Sequence, residues 1–265
     1  MLKNILLILI SILLFSFCSP QAKNDNKIIE DKNVTKPKSI KKIEPKKTET
    51  KKKEIKLSNS NVKEFLTEYG RNNPETLVLI KTSLGDIKIR LYKNTPLHRA
   101  NFIMLVKKKF YDETVFYRVV KGFMIQGGDS DADDRKTKKA QIGNYSIPSE
   151  FNSELFHKKG AISMAREYDN NPNKRSSSFD FFIVQGSIFS EIDLKAIEIE
   201  KNIKFTDEQR KIYKTTGGAA HLDREHTVFG EVIEGIDIID KIANVEIDKS
   251  SWPIDDIIMT IEVLK

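Results

Sequence analysis

Polar and apolar positions alternate in DIKIRLY at 86–92, and TLVLIK at 76–81, a second strand-like run rich in β-branched and apolar residues, precedes it with SLG between them. Two such runs on either side of a glycine-bearing turn predict a β-hairpin. Shorter runs at 115–120, 122–126, 161–165, 180–184, 227–233 and 257–264 predict further strands. Between them the period lengthens to that of a helix. A short helix is expected from Asn61 to Tyr69, capped by Ser60 or Asn61 and stopped by Gly70. A longer one opens at Thr95 and Pro96 and runs to about Phe110, with Phe102, Leu105 and Val106 on one face and Lys107 to Lys109 at the end where cations suit the dipole. Another spans Gly235 to Val245. Many short strands with two well-separated long helices argue for a mainly β fold, a barrel capped by two helices, and against a βαβ sheet. Residues 187–216 interrupt the rhythm with helical periodicity and charge pairs, and are expected to form a helical insertion beside the barrel.

The amino-terminal 57 residues follow different rules. Met1 to Ser19 reads MLKNILLILISILLFSFCS, a lysine followed by an apolar run from Ile5 to Phe17 and then the only cysteine, Cys18. That run is shorter than the about 20 residues needed to cross a bilayer, so residues 1–18 are expected to be a secretory signal peptide. A single cysteine forms no internal disulfide. LFSFC at 14–18 resembles a bacterial lipobox, with Phe17 where a small residue is usual, and the expectation is lipidation of Cys18 and an exported, membrane-anchored lipoprotein facing the periplasm or cell exterior. Residues 19–57 are expected to be a disordered tether. Its stretch from Gln21 to Lys56 has no aromatic residue and no glycine, and carries 13 lysines against 6 acidic residues.

That net +7 equals the formal charge of the whole 265-residue chain, so residues 57–265 are close to neutral. The isoelectric point near 9.2 belongs to the tether. Nucleic-acid binding calls for a basic face on the folded part, and no such partner is expected. The tether is either a solvated spacer or an electrostatic contact with anionic lipid or cell-wall polymer.

Several chemistries can be set aside. The histidines at 98, 157, 221 and 226 lack the spacing of a helical zinc motif, and no second cysteine exists to complete a thiolate site. The glycine pair at 127–128 lacks phosphate-loop spacing, and Ser176 to Ser178 lie in no nucleophile elbow. No metal or cofactor is expected. One residue resists a packing explanation: Arg118, in the middle of the apolar run VFYRVV at 115–120. Its guanidinium keeps its charge and five donors at any physiological pH, so it is either a satisfied structural arginine or a cation pointing into a groove.

Widely separated stretches decide between these readings together. FYRVVKGFMIQGGD at 116–129, GAISMA at 160–165, FFI at 181–183 and HLDREHTVFGEV at 221–232 resemble the cyclophilin-type peptidyl-prolyl isomerases, and KNTPLHRANF at 93–102 is similar to their first barrel helix. The likeness covers about 76–265; FNSELFHKKGA at 151–161 and the insertion resemble exported bacterial members. The resemblance implies a cyclophilin-like closed antiparallel β-barrel over 58–265, probed by proline-containing polypeptides as substrates, acting as a monomer and assisting the folding of exported proteins. It implies Arg118 as the catalytic donor, an apolar slot from Phe123, Met124, Phe182 and Leu222, and Gln126, Ala165, Arg166, Asp180, His221 and His226 around the bound peptide.

The chain also departs from the family pattern. Ser178, Phe179 and Asp180 stand where a glycine, a serine and a glutamine are usual. Asp180 is expected either to pair with Arg118 or to compete for its donors, and Ser178 to tolerate a special backbone angle. Arg166 and Glu167 replace a peptide-binding asparagine, putting charge at the groove edge. His221 stands where many eukaryotic members carry a tryptophan important for cyclosporin, so weak drug affinity is expected. The alternative reading is a proline-peptide-binding chaperone or scaffold module with little turnover; a groove blocked by Phe179 would favour it.

Overall fold

The computed structural model describes residues 55–129 and 133–264. The expected signal segment, Cys18 and the tether through residue 54 lie outside the described residues. Strand β1 (Leu57–Ser58) precedes helix α1 (Val62–Asn72), the hairpin β2 (Leu77–Thr82) and β3 (Gly85–Leu91), and helix α2 (Pro96–Lys107). Then come β4 (Thr114–Val120), β5 (Met124–Gly127), α3 (Asp133–Ile142), β6 (Gly143–Asn144), β7 (Ala161–Met164) and β8 (Phe181–Val184). Helices α4 (Glu191–Lys201) and α5 (Asp207–Thr215) form the insertion, and β9 (Val228–Glu234), α6 (Ile236–Ala243) and β10 (Ile258–Val263) complete the chain. Eight strands close an antiparallel barrel in the order β10-β2-β3-β9-β7-β8-β5-β4, β4 pairing back to β10. β1 and β6 form a separate parallel pair. Leu57, the last residue of the expected tether, is instead buried in a strand of the folded part.

Strand alternation fills the barrel. Val78, Ile80, Ile87, Ile89 and Leu91 point inward with Phe116, Ile125, Ile162, Phe181, Ile183 and Phe229, each essentially inaccessible. Burying one such side chain stabilises by about 1.5–3 kcal/mol, before the entropy of ordering it is subtracted. On β5, β7 and β8 the outward positions are covered too. Met124, Ala161, Phe182 and Val184 join Ala219, Leu222 and Val228 in a second apolar cluster outside the barrel wall. β8 is apolar on both faces and β5 and β7 are broken only by Gln126 and Ser163, so they read as nearly continuous runs without a clear alternation.

Helix α2 closes one end of the barrel and buries every residue from Leu97 to Val106. Its polar residues serve helix termini. Glu150 accepts from the free amides of Leu97 and His98 at 3.0 and 2.9 Å, while Arg99 donates to the carbonyls of Gly70, Asn73 and Glu75 at the end of α1. Two boundaries differ from expectation. α2 ends at Lys107 because Lys109 takes a left-handed conformation, and Gly70 lies inside α1, where a Cβ would sit 3.1 Å from Ala100 of α2. Gly70 therefore permits close helix packing and is no stop signal.

Helix α3 was not foreseen, since DDRKTKKAQI has no apolar period. Tertiary contacts hold it: Arg135 donates to the carbonyls of Phe110 and Asp112, and Lys139 pairs with Asp129. The insertion is helical as expected. Capping boxes at Ser190/Asp193 and Thr206/Gln209 start α4 and α5, and Leu194, Ile197, Phe205 and Tyr213 pack between them. The chain enters the insertion through Gly186, whose φ is +76° and where a Cβ would lie 2.5 Å from the Gly218 backbone. Gly186→Ala combines left-handed strain with a backbone clash and should destabilise the protein by about 2–5 kcal/mol, measured as a lowered midpoint in urea with unchanged slope.

Candidate active site on the barrel wall

The outward side chains of four neighbouring strands line up in one row. Arg118 on β4 is opposite Gln126 on β5, Gln126 opposite Phe182 on β8, and Phe182 opposite Ser163 on β7. A bulge shapes the polar end. The register shifts between Phe116 and Arg118, so that Tyr117 and Arg118 together face the single residue Gln126. Beside the row runs an open groove of about 270 Å³ lined by Arg118, Gln126, Phe123, Met124, Phe182 and Leu222, with Ala165, Arg166, Tyr168 and His226 along its other side. A larger cavity of about 640 Å³ lies between residues 152–158 and α5, but Arg118 and the outer apolar cluster are not part of it.

Arg118 is exposed, and its Nη1 donates to Oε1 of Gln126 at 3.2 Å. Gln126 Nε2 donates to the Tyr117 hydroxyl at 2.7 Å, which donates to Oδ1 of Asp180 at 2.9 Å, and Ser177 Oγ donates to Oδ2 at 2.6 Å. Burial raises the Asp180 carboxyl above the usual carboxylate range, opposed by the Ser177 hydrogen bond. Burial also pushes the Tyr117 phenol up, reinforced by the Asp180 charge. The expected Arg118–Asp180 ion pair is absent among the described residues: Asp180 precedes β8 and turns to Ser177 and Tyr117, so it neither lines the groove nor takes donors from Arg118.

The floor is apolar. Phe182 lies between two histidines, with the His157 ring stacked at 6.0 Å and 10° and the His226 ring edge-on at 5.3 Å. His226 is buried, its Nδ1 3.1 Å from the Met164 carbonyl and its Nε2 2.9 Å from the Tyr168 hydroxyl. Those partners assign the proton to Nδ1, with Nε2 accepting from Tyr168. Burial lowers the His226 pKa to about 4. A histidine depressed from 6.5 in the fold contributes stability that is fully present above pH 6.5 and is lost as pH falls toward 4. Melting temperatures between pH 7 and 4 should therefore fall less steeply for His226→Phe than for the natural protein.

The remaining expected site residues divide. Ala165 and Arg166 line the groove, but Arg166 is not a loose charge: it pairs with Glu225 at 2.7 Å and lies 4.0 Å from the centre of the Tyr168 ring. His221 is outside the groove, its ring 5.2 Å from that of Phe123. Ser178 does not have positive φ; it is buried, with its hydroxyl on the Tyr145 carbonyl. Phe179 stacks on Phe110 at 4.8 Å and leaves the groove open. Two participants were missed, Tyr117 and Tyr168. The first sits beside Arg118 only because of the bulge, and the second lies in a loop without any periodic signal. Among the described residues no cluster of histidine, cysteine and carboxylates could hold a metal ion.

The groove's chemistry is that of a binding site with two arginines, Arg166 paired with Glu225 and Arg118 bonded to Gln126. It offers an apolar floor and donors from Arg118 at one side, and its hydroxyl–imidazole pair is a Tyr168 phenol donating to the buried His226 ring. Comparison with known proteins agrees with this geometry. Residues 77–263 match the family profile "Cyclophilin type peptidyl-prolyl cis-trans isomerase/CLD". A putative peptidyl-prolyl cis-trans isomerase of Staphylococcus saprophyticus is 33% identical over 198 residues, covering 73% of this chain and 94% of that one. A putative bifunctional phosphatase/peptidyl-prolyl cis-trans isomerase of Streptococcus pyogenes is 37% identical over 196 residues, of whose length this chain spans 39%. Among solved structures, a cyclophilin-type isomerase of Cryptosporidium parvum, crystallised in the presence of the dipeptide Ala-Pro, aligns with TM-score 0.50 at 26% identity over 71% of this chain and 99% of that one.

Proposed function

The chain belongs to the cyclophilin-type peptidyl-prolyl cis-trans isomerases and is an enzyme of that class, and from that premise we propose how its groove works and where it works. Rotation about an X-Pro bond is slow because twisting the amide forfeits resonance, against a barrier of about 18–20 kcal/mol. A catalyst must hold the twisted amide more tightly than either planar isomer. As the bond twists, the lone pair localises on the proline nitrogen, and a fixed donor aimed there stabilises the transition state selectively. Arg118 is that donor. Phe182, Met124, Phe123 and Leu222 hold the proline ring, while Gln126, Ala165, Arg166 and His226 flank the peptide. The observation that carries this reading is the single row that sets Arg118 against the apolar slot.

The substrates are proline-containing segments of exported proteins, and the protein acts as a monomer held at a membrane surface by lipid on Cys18. The apolar run ending in LFSFC, followed by a lysine-rich stretch, supports that placement. Two measurements test it. The protein should speed the proline-limited refolding phase of a model substrate protein, and Phe182→Ala should weaken peptide binding about 10-fold or more, through loss of a buried aromatic wall. Expressed in a bacterium, the chain should incorporate labelled fatty acid and enter the detergent phase, and Cys18→Ser should do neither. Equal labelling of both would remove the anchor from the account.

A further inference from the structure

We propose that Tyr117 is a positioning residue of the isomerase reaction, fixing the Gln126 amide so that its oxygen holds the Arg118 guanidinium at the groove. The inference rests on the role of Arg118 given above and extends it outward to residues that touch no substrate.

Each link in the chain of hydrogen bonds admits one arrangement. Ionised, the Asp180 carboxylate accepts only, so the Tyr117 hydroxyl spends its single proton on Oδ1, 2.9 Å away. That leaves an oxygen lone pair toward Gln126, which must be met by the Nε2 donor at 2.7 Å. The amide then has its Oε1 on the other side, where it accepts from Arg118 Nη1 at 3.2 Å. Reversed, the amide would point its NH2 group at the guanidinium and leave two sets of donors facing each other. Ser177, half-buried like Asp180, holds the far oxygen of Asp180 at 2.6 Å, so the chain is tied at one end to the segment before β8 and reaches an exposed side chain at the other.

The anchoring matters because Arg118 is exposed and carries no ion pair among the described residues. A free arginine side chain samples many rotamers, and a donor that must be aimed at a transition state works only if it is already in place. The bulge that sets Tyr117 beside Arg118 opposite one Gln126 makes the connection possible. Asp180 also finds an explanation. A glutamine there, as the family resemblance leads one to expect, offers both a donor and an acceptor and leaves the Tyr117 proton free to point either way. A carboxylate fixes it.

Tyr117→Phe is the direct test, because the ring keeps its packing against Trp252, 5.9 Å away, and loses the hydroxyl alone. In the full-length protein assayed on an X-Pro peptide, Tyr117→Phe should lower kcat/KM about 5- to 20-fold, in the range of coupled hydrogen-bonded residues, with the loss in kcat and the peptide Kd changed less than about 2-fold. Asp180→Asn, which keeps an acceptor for the hydroxyl, should lose less than Asp180→Leu. In a Gln126→Ala background, where the link is already cut, Tyr117→Phe should change the rate by less than about 2-fold. Wild-type activity in Tyr117→Phe, or an equal loss with and without Gln126, would overturn the proposal while leaving the role of Arg118 standing. Absence of catalysis by the natural protein would instead sink the reading on which it rests.

Discussion

Arg118→Ala is expected to lower kcat/KM for an X-Pro peptide about 10²- to 10³-fold, the loss seen when one preorganised donor to a developing charge is removed. The substitution should leave the fold intact, because Arg118 is exposed and bonded only to Gln126 among the described residues, and surface changes of this kind stay within about 0.5 kcal/mol. Peptide affinity should change little, since the planar ground state gives the guanidinium no localised lone pair to meet. Arg118→Lys is expected to recover less than a tenth of the lost rate. An ammonium on a flexible stem lacks the planar fork that reaches Gln126 and the proline nitrogen together. Activity, ground-state binding and melting temperature on one set of samples separate this outcome from simple unfolding.

Asp223→Ala should have the largest effect on stability, about 3–5 kcal/mol, as expected when one member of a buried hydrogen-bonded charge network is deleted. Its carboxylate accepts from the His157 backbone amide at 2.9 Å, from His157 Nδ1 at 2.7 Å and from the Tyr213 hydroxyl at 2.6 Å. All three residues are buried. Removing the carboxylate strands three polar groups where water does not reach. Burial, the largest cause of the raised Tyr213 phenol, persists without Asp223, so ionisation offers that hydroxyl no escape. The damage should also reach the groove. Tyr213 belongs to α5 of the insertion, and the His157 ring that Asp223 holds is stacked on Phe182. At temperatures where Asp223→Ala still folds, its KM should rise more than its kcat falls. Tyr213→Phe removes one of the three bonds and should cost about 1–2 kcal/mol. Calorimetry and chemical denaturation check both values.

Legibility in the sequence followed exposure. In the β2–β3 hairpin, β3 showed plainly because its outer face meets solvent and carries Asp86, Lys88 and Arg90 at every second place, while β2 puts Leu77 and Leu79 outward and was legible mainly through the glycine-bearing turn. β7 and β8 are buried throughout and β5 is open only at Gln126, and their mostly apolar runs marked strands without showing which way each residue points. α3 was illegible because long-range contacts from Arg135 and Lys139, not an amphipathic face, hold it. In the site, Arg118 announced itself as a charge inside an apolar strand. Phe123, Met124, Phe182 and Leu222 could be told from core residues only through the family likeness, because their apolar cluster lies outside the barrel wall. Tyr117 escaped notice since a one-residue bulge brings it to Gln126, and no local pattern encodes that bulge. The misplaced pairing of Asp180 with Arg118 has the same root: the connection runs through Tyr117 and Gln126.

The central claim is that the row from Arg118 to Phe182 lowers the barrier to X-Pro rotation. Exchange NMR on an unlabelled Ala-Pro-containing peptide, with a catalytic amount of the natural protein and then of Arg118→Ala, measures that barrier without a coupled protease. The natural protein should bring cis/trans exchange, otherwise tens to hundreds of seconds, into the observable range, and Arg118→Ala at equal concentration should return it nearly to the uncatalysed rate. Exchange unchanged by the natural protein, or accelerated equally by both, would contradict the account.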